Sequence, residues 1–528
     1  MRYWLAGLLT AHLAFAAAPD IDSISPLALW PGVPVKITLS GSDLSEATQL
    51  WTSFPAQVES LGGARFQITA NAAVGIGAIR MFGSNGVSNP FLVMLDDLPT
   101  ITEAKTNKTR TTAQAIEFGS AVDGVCDELS FDWFKLRANK GQRVSIEMVA
   151  ARLGSKLDSV LRVVSASGRE LARNDDAPGL RGDSFIVFIA PESADYFIEV
   201  RDVNYGGGSE YFYHLRVGDF PLVTTTFPIA VDQDSQSLHL TGPNGEIGEA
   251  TAKGQTNAST LTVAIKGRTG SAFAKALMSD RHEAIEREPN DSAAKATKIL
   301  IADGINGRFD KPNDRDCYEF TARKGDRIEF RAATRSIGSP CDAVLEIDSA
   351  DGRQLARSNP SAADEGVVTH NFASNGVYRL VVEEATGAFG PNMIYRVVSR
   401  RAAGFALTLD ADRVNVAPGK SFDLKVTVAR GDYKGAVTLT LDGFPDVVLT
   451  NNVIAENKTN VTMKVTAPDS LVPGTWREFS VQGNAKRNGE DVHVRASTAP
   501  ALRRRWPLLL YPPVEFDGMI SLGVTSPK

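Results

Sequence analysis

The stretch DWFKLRANKGQRVSIEMVAARLGSKLDSVLRVVSASGRELAR (132–173) returns as DCYEFTARKGDRIEFRAATRSIGSPCDAVLEIDSADGRQLAR (316–357), at an offset of 184. The two align without a gap and are identical at 17 of 42 positions, among them Asp132 with Asp316, Gly141 with Gly325 and Asp158 with Asp342. Farther on, DYFIEV (195–200) matches VYRLVV (377–382), and Tyr213 matches Tyr395, at an offset of 182. Self-similarity at a fixed separation marks a duplicated structural unit. The chain therefore carries two copies of one domain, over 100–218 and 284–400.

Outward from the repeat the pattern stays the same. VKITLSG (35–41), FDLKVTVARG (422–431), AVTLTLDG (436–443) and NVTMKVTA (460–467) alternate apolar and polar residues, punctuated by Gly, Asn, Asp and Pro. A period of two with frequent turn signals predicts β-sandwiches. The predicted fold is all-β, with tandem β-sandwich modules. At 528 residues the chain exceeds what one core can hold, so several domains are expected. Segments 19–98, 219–270 and 402–498 are read as further β modules. Only SAFAKALMSDRHEAIE (271–286) shows helical periodicity, and it reads as a connector, with 271–283 as linker. Residues 499–528 read as a C-terminal tail.

The N-terminus has the form of a secretory signal: Arg2, then the short apolar run WLAGLLTAHLAFA, then a small-x-small cleavage site at Ala14-Phe15-Ala16. A signal peptide over 1–16 and an exported protein are expected, whether periplasmic, cell-surface or extracellular. No later apolar run reaches the length of a membrane-spanning helix. The net charge of −6 gives no reason to expect nucleic acid. Charged residues at 22% and apolar residues at 43% are an ordinary globular balance. The three cysteines allow at most one disulfide. Cys317 and Cys341 stand where the first copy has Trp133 and Leu157. Joint replacement is what a bridge would produce, with Cys126 left over, whereas free thiols as core residues are the alternative.

Candidate chemistry concentrates in EREPND (286–291), where Glu286, Glu288, Asn290 and Asp291 place four oxygen-bearing side chains in six positions. A solvated linker with an N-cap for SAAKATKI, a pair of catalytic carboxylates and part of a cation site all fit that spacing. The matching segment of the first copy, EAKTNK (103–108), keeps Glu103 and Asn107 but has Lys105 and Lys108 in place of two acids. A cation site, if present, belongs to the second copy alone. NDD (174–176), with Asp183 nearby, fits either a site for a different ion or, as the favoured reading, an Asx-rich turn. Catalysis finds no support in motifs: the histidines form no HExxH, and there is no GxSxG elbow, P-loop or GxGxxG.

The order EREPNDSAAKA, DRDCYEFTARKGDRIEF, CDAVLEIDSADGRQLA, NGVYRLVV and YRVV resembles the bacterial pre-peptidase C-terminal (PPC) domain. That family is a small jelly-roll-like β-sandwich, usually appended to secreted peptidases and related to the collagen-binding domains of clostridial collagenases. The resemblance covers both repeats. It implies calcium at Glu286, Glu288, Asn290 and Asp291, with Asp314 and Asp316 as partners. The segment 19–44 resembles the start of an IPT/TIG domain, and 402–498 is similar to immunoglobulin-like sandwiches. The chain is therefore expected to be an exported, non-enzymatic, modular protein that binds an extracellular polymer, protein or polysaccharide, or serves the cell envelope. The alternative is an accessory or targeting component of a secreted peptidase, or an unrecognised hydrolase.

Overall fold

The computed structural model describes residues 18–232, 236–252, 259–361, 365–487 and 489–527. The segment read as a signal peptide lies outside them. Among the described residues the strands pair into ten sheets, which face each other two by two as β-sandwiches. The chain is an all-β protein of tandem sandwich modules.

The two repeats share one topology. In the first, one sheet runs in the order Thr100–Thr102, Ser120–Val125, Phe212–Gly218, Arg143–Val149, Phe185–Ile189. The facing sheet runs Gln114–Ile116, Asp132–Ala138, Ala194–Asp202, Ser159–Ser165, Glu170–Asn174. The second repeat reproduces both orders with Glu283–Ile285, Gly304–Arg308, Ile394–Arg401, Arg327–Ala333, Val367–Asn371 and with Thr297–Lys298, Arg315–Ala322, Gly376–Glu384, Ala343–Ser349, Gln354–Arg357. Alternation builds each core: Phe134, Leu136, Ile198 and Leu215 point inward in the first repeat, Tyr318, Phe320, Leu380 and Val397 in the second. Each such side chain contributes about 1.5–3 kcal/mol by leaving water.

Two segments differ from the expectations drawn from sequence. Residues read as a helical connector contain the strand Ser271–Met278, which pairs with Thr260–Lys266 and closes a six-stranded middle module. Alanines made this stretch look helical, but Ala272, Ala274 and Ala276 recur with period two and fill that module's core. Residues 499–527 are not a free tail. They form the helix Ala499–Arg505 and the strand Ile520–Val524, which lies between Arg413–Val416 and Trp476–Arg487 inside a sheet of the C-terminal module. Between them Trp506, Leu509 and Phe516 join the core of the N-terminal module. The first and last modules therefore touch. Ser526 donates its amide to Ser84 O at 2.8 Å, Arg413 pairs with Asp20 at 2.6 Å, and Trp51 meets Trp476 edge-on at 5.3 Å.

The disulfide is absent, and the parity of the strand explains why. Tyr318 and Phe320 face the core together with Cys341, so Cys317, one residue before Tyr318, projects from the opposite face of its sheet. All three cysteines are free and buried. Thiol titration of denatured, unreduced protein is therefore expected to find three reactive groups per chain, and a count of one would contradict this arrangement.

Where the first repeat meets its neighbours, seven charged side chains alternate in sign: Asp123, His214, Asp96, Arg216, Glu147, Arg152 and Asp183. His214 Nδ1 lies 2.7 Å from Asp123 and Nε2 lies 2.9 Å from Asp96 of the N-terminal module. Arg216 holds Asp96 bidentately at 2.9 and 3.0 Å, meets Glu147, and donates to Ser271 O of the middle module at 2.6 Å. Arg152 joins Glu147 at 2.9 Å to Asp183 at 2.6 Å. Both ring nitrogens of His214 face carboxylates, and only the imidazolium can donate to both. Burial pulls this imidazole down, but the hydrogen bonds to Asp123 and Asp96 outweigh it and hold its pKa at about 9. Three modules are thus joined through one buried ionic chain.

Candidate metal centre in the second repeat

The acidic segment runs from the strand Glu283–Ile285 to the end of the sandwich where Arg315–Ala322 begins. A turn with Asn313 at φ 54° precedes that strand, and Asp314 Oδ2 closes it by accepting the amide of Asp310 at 2.7 Å. Asp314 and Asp316 are thereby buried side by side, and Glu288 reaches them from the solvent side. One carboxylate oxygen from each of Glu288, Asp314 and Asp316 lies within 4.8 Å of the others. Asp316 Oδ2 accepts from the Tyr395 hydroxyl at 2.6 Å, whereas its Oδ1 is buried with no partner.

The remaining residues of the expected set are placed differently. Glu286 accepts the amide of Arg308 at 2.6 Å and lies 3.3 Å from the Tyr395 hydroxyl, one hydroxyl away from Asp316. Asp291 pairs with Lys311, whose ammonium is also 3.3 Å from Asp314 and 3.6 Å from Glu288. Asn290 is fully buried; its carbonyl accepts the amide of Cys317 at 3.1 Å and its side-chain amide has no partner. Neither Asn290 nor Asp291 caps a helix: the short 3-10 turn Ala293–Lys295 follows Ser292, and no side chain caps it. Burial and then the charge of Asp316 push the carboxyl of Glu286 well up. Burial, with Asp314 and Glu288 nearby, does the same to Asp316 despite the opposing hydrogen bond from Tyr395.

The first repeat fills the same place with a lysine. Lys108 Nζ contacts Glu103 and Asp127, each at 2.9 Å, and Asp132, while the Tyr213 hydroxyl donates to Asp132 at 2.9 Å. By position Lys108 corresponds to Asp291 and Asp127 to Lys311. The ion pair is kept with its ends exchanged. In the first repeat the ammonium reaches inward to the buried acids; in the second it stays at the rim, 47% exposed, and leaves Asp316 Oδ1 unmet. Asn107 is as orphaned as Asn290, so that feature belongs to both copies and does not mark a cation.

The sequence reading missed two glycines that make room for this geometry. A Cβ on Gly307 would lie 2.2 Å from the Tyr395 ring and 2.6 Å from Glu286, and one on Gly124 would lie 2.2 Å from Tyr213. Their matched positions, 183 apart, were the available signal. At NDD, Asn174 accepts the amide of Phe185 at 2.9 Å and donates to Asp176 O at 3.2 Å, while Asp183 is engaged by Ala150, Ala151 and Arg152. A second group, His239 with Glu246 and Glu249, lies partly exposed on a hairpin of the middle module, with His239 to Glu246 at 2.6 Å. Among the described residues no helix is long and apolar enough to cross a membrane.

No family model matches the chain. A probable subtilase-type serine protease of Deinococcus radiodurans is 26% identical over 211 residues, 39% of this chain and 27% of the protease. The match thus spans about a quarter of that relative's length. Among solved structures, the pre-peptidase C-terminal domain of a Bacillus anthracis collagenase is 16% identical and fully covered by 22% of this chain, with a TM-score of 0.17. The D0–D1 domains of intimin are 16% identical, with 37% of this chain covering 95% of that one and a TM-score of 0.14. The chain is an all-β modular protein, similar over part of its length to a subtilase-type protease.

Proposed function

We propose that this is an exported, non-enzymatic binding protein of the cell surface, periplasm or extracellular space that attaches to an extracellular polymer, with calcium stabilising its second repeat. The observation that carries the reading is the convergence of carboxylate oxygens from Glu288, Asp314 and Asp316, together with the unpartnered, buried Oδ1 of Asp316. Calcium prefers carboxylate and carbonyl oxygens, six to eight of them, and this donor set is all oxygen. Glu288, Asp314 and Asp316 would hold the ion, with Lys311 moving aside and water completing the shell. Glu286 would support the site through Tyr395. A bound ion would offset the repulsion among these carboxylates, the task Lys108 performs in the first repeat. The PPC resemblance of the repeats and the IPT/TIG-like and immunoglobulin-like flanks supports a binding role.

The subtilase-type relative favours a second reading, in which the chain is an accessory or targeting component of a peptidase or itself hydrolyses a polymer. A glycan and matrix-protein array, run beside a protease and glycosidase panel, separates the two. Saturable binding without turnover is expected; turnover by the purified chain would replace the first reading with the second.

A further inference from the structure

The repeats share a topology but not a surface. One sheet of the first repeat turns Trp133, Arg162, Arg173 and Arg201 away from the core, with Phe131 and Tyr205 at its rim. The guanidinium of Arg162 lies 5.8 Å over Trp133 and that of Arg201 lies 4.6 Å over Tyr205, while Phe131 meets Tyr205 edge-on at 5.8 Å. Between Phe131, Tyr205, the three arginines and Glu199 opens a crevice of about 270 Å³. Arg162 is held by Glu199. Arg201 donates to the backbone carbonyls of Asp202 at 2.8 Å and Val203 at 3.3 Å, and forms no ion pair among the described residues. Arg173 is exposed and likewise forms none.

The matching face of the second repeat has been neutralised. Phe131, Trp133, Arg162, Arg201 and Tyr205 correspond to Arg315, Cys317, Glu346, Glu383 and Gly387. Arg315 pairs with Glu383 at 2.9 Å, and Arg357, the counterpart of Arg173, pairs with Glu346 at 2.5 Å and Glu383 at 3.2 Å. One face satisfies its own charges. The other pairs Arg162 with Glu199 and Glu170 but leaves Arg173 and Arg201 without an acid among the described residues, beside the rings of Phe131 and Tyr205.

We infer that this face of the first repeat binds an anionic polysaccharide built of uronic acids. This rests on the reading of the chain as a polymer-binding protein and adds the ligand class and the site. Val160, Arg162, Glu199 and Arg201 line the crevice from Ser159–Ser165 and Ala194–Asp202, interior strands whose backbone groups are already paired on both sides, and Arg173 lines it from the edge strand Glu170–Asn174. Over those two interior strands a peptide cannot add as a further strand, the mode that would give it main-chain hydrogen bonds. Recognition falls to side chains. Guanidinium forks at Arg173 and Arg201 suit sugar carboxylates, and the Phe131–Tyr205 pair offers an apolar wall to the ring between them.

The test measures full-length protein binding to hyaluronan fragments, with neutral dextran and polyglutamate alongside. Arg173→Ala and Arg201→Glu are each expected to weaken hyaluronan binding about ten-fold, and added salt to weaken it further. Arg357→Ala, in the second repeat, should leave it unchanged. All three residues are on the surface, and unchanged melting curves confirm intact folds. Equal affinity for polyglutamate would overturn the assignment in favour of an acidic protein partner. Absence of hyaluronan binding, or binding indifferent to both first-repeat variants, would also overturn it. Array binding to another polymer that persists in these variants removes this assignment but leaves the broader reading, whereas silence across the whole array removes both.

Discussion

Arg216→Met is expected to destabilise the protein by about 3–5 kcal/mol, because it leaves Asp96 and Glu147 buried without their cation. The loss should appear as a lower melting temperature and as early proteolytic release of the N-terminal module, which Asp96 ties to the first repeat. The same junction sets a pH dependence through His214. Its folded pKa, about 9, lies above the ordinary 6.5. The stabilisation is therefore complete below pH 6.5 and is lost as pH rises through 9, by on the order of 3 kcal/mol. Thermal melts from pH 6 to 10 check this, with His214→Gln expected to flatten the profile. A wild-type profile already flat over that range would show that the imidazole is not charged in the folded protein.

Calcium is expected to raise the melting temperature of the second repeat, by an amount equivalent to about 2.7 kcal/mol at a hundred times the dissociation constant. Without calcium, Glu286 and Asp316 hold their protons more tightly folded than unfolded, since burial raises both carboxyls. For groups raised in this way stability is present at low pH and lost as pH climbs from the ordinary carboxylate range through the folded values. Calcium competes with those protons, so its stabilising effect should grow over the same window. Lys311→Met removes the ammonium that sits beside Glu288 and Asp314 and should tighten binding. Differential scanning calorimetry at pH 5, 7 and 8.5, with and without calcium, reads all three effects. A shift that shrinks as pH rises would contradict this linkage.

The sandwiches were legible because a strand writes its two faces into alternate residues, and the duplication because the copies align without a gap. The strand Ser271–Met278 was hidden by its composition, since alternating alanines satisfy a helical pattern as readily as a core-facing one. The strand Ile520–Val524 was hidden by its surroundings of arginine and proline, and because its partners lie in segments far away in sequence. The proposed disulfide failed on parity: position 317 is one residue off the core-facing set. At the candidate centre, sequence named the carboxylates that converge, but not that Asp291 is taken by Lys311 or that Gly307 opens the space for Tyr395. The ionic junction was missed because its members come from six segments. YHLRV (213–217) carried a signal: a histidine and an arginine alternate with core residues on a strand that would otherwise read as buried.

On the proposed reading, one repeat holds calcium where the other holds a lysine. Isothermal calorimetry of the full-length protein with calcium tests this. One ion per chain is expected for the wild type, none for Asp316→Asn, and one, unchanged in affinity, for Glu103→Gln in the first repeat. No calcium heat in the wild type, or undiminished binding in Asp316→Asn, would contradict it.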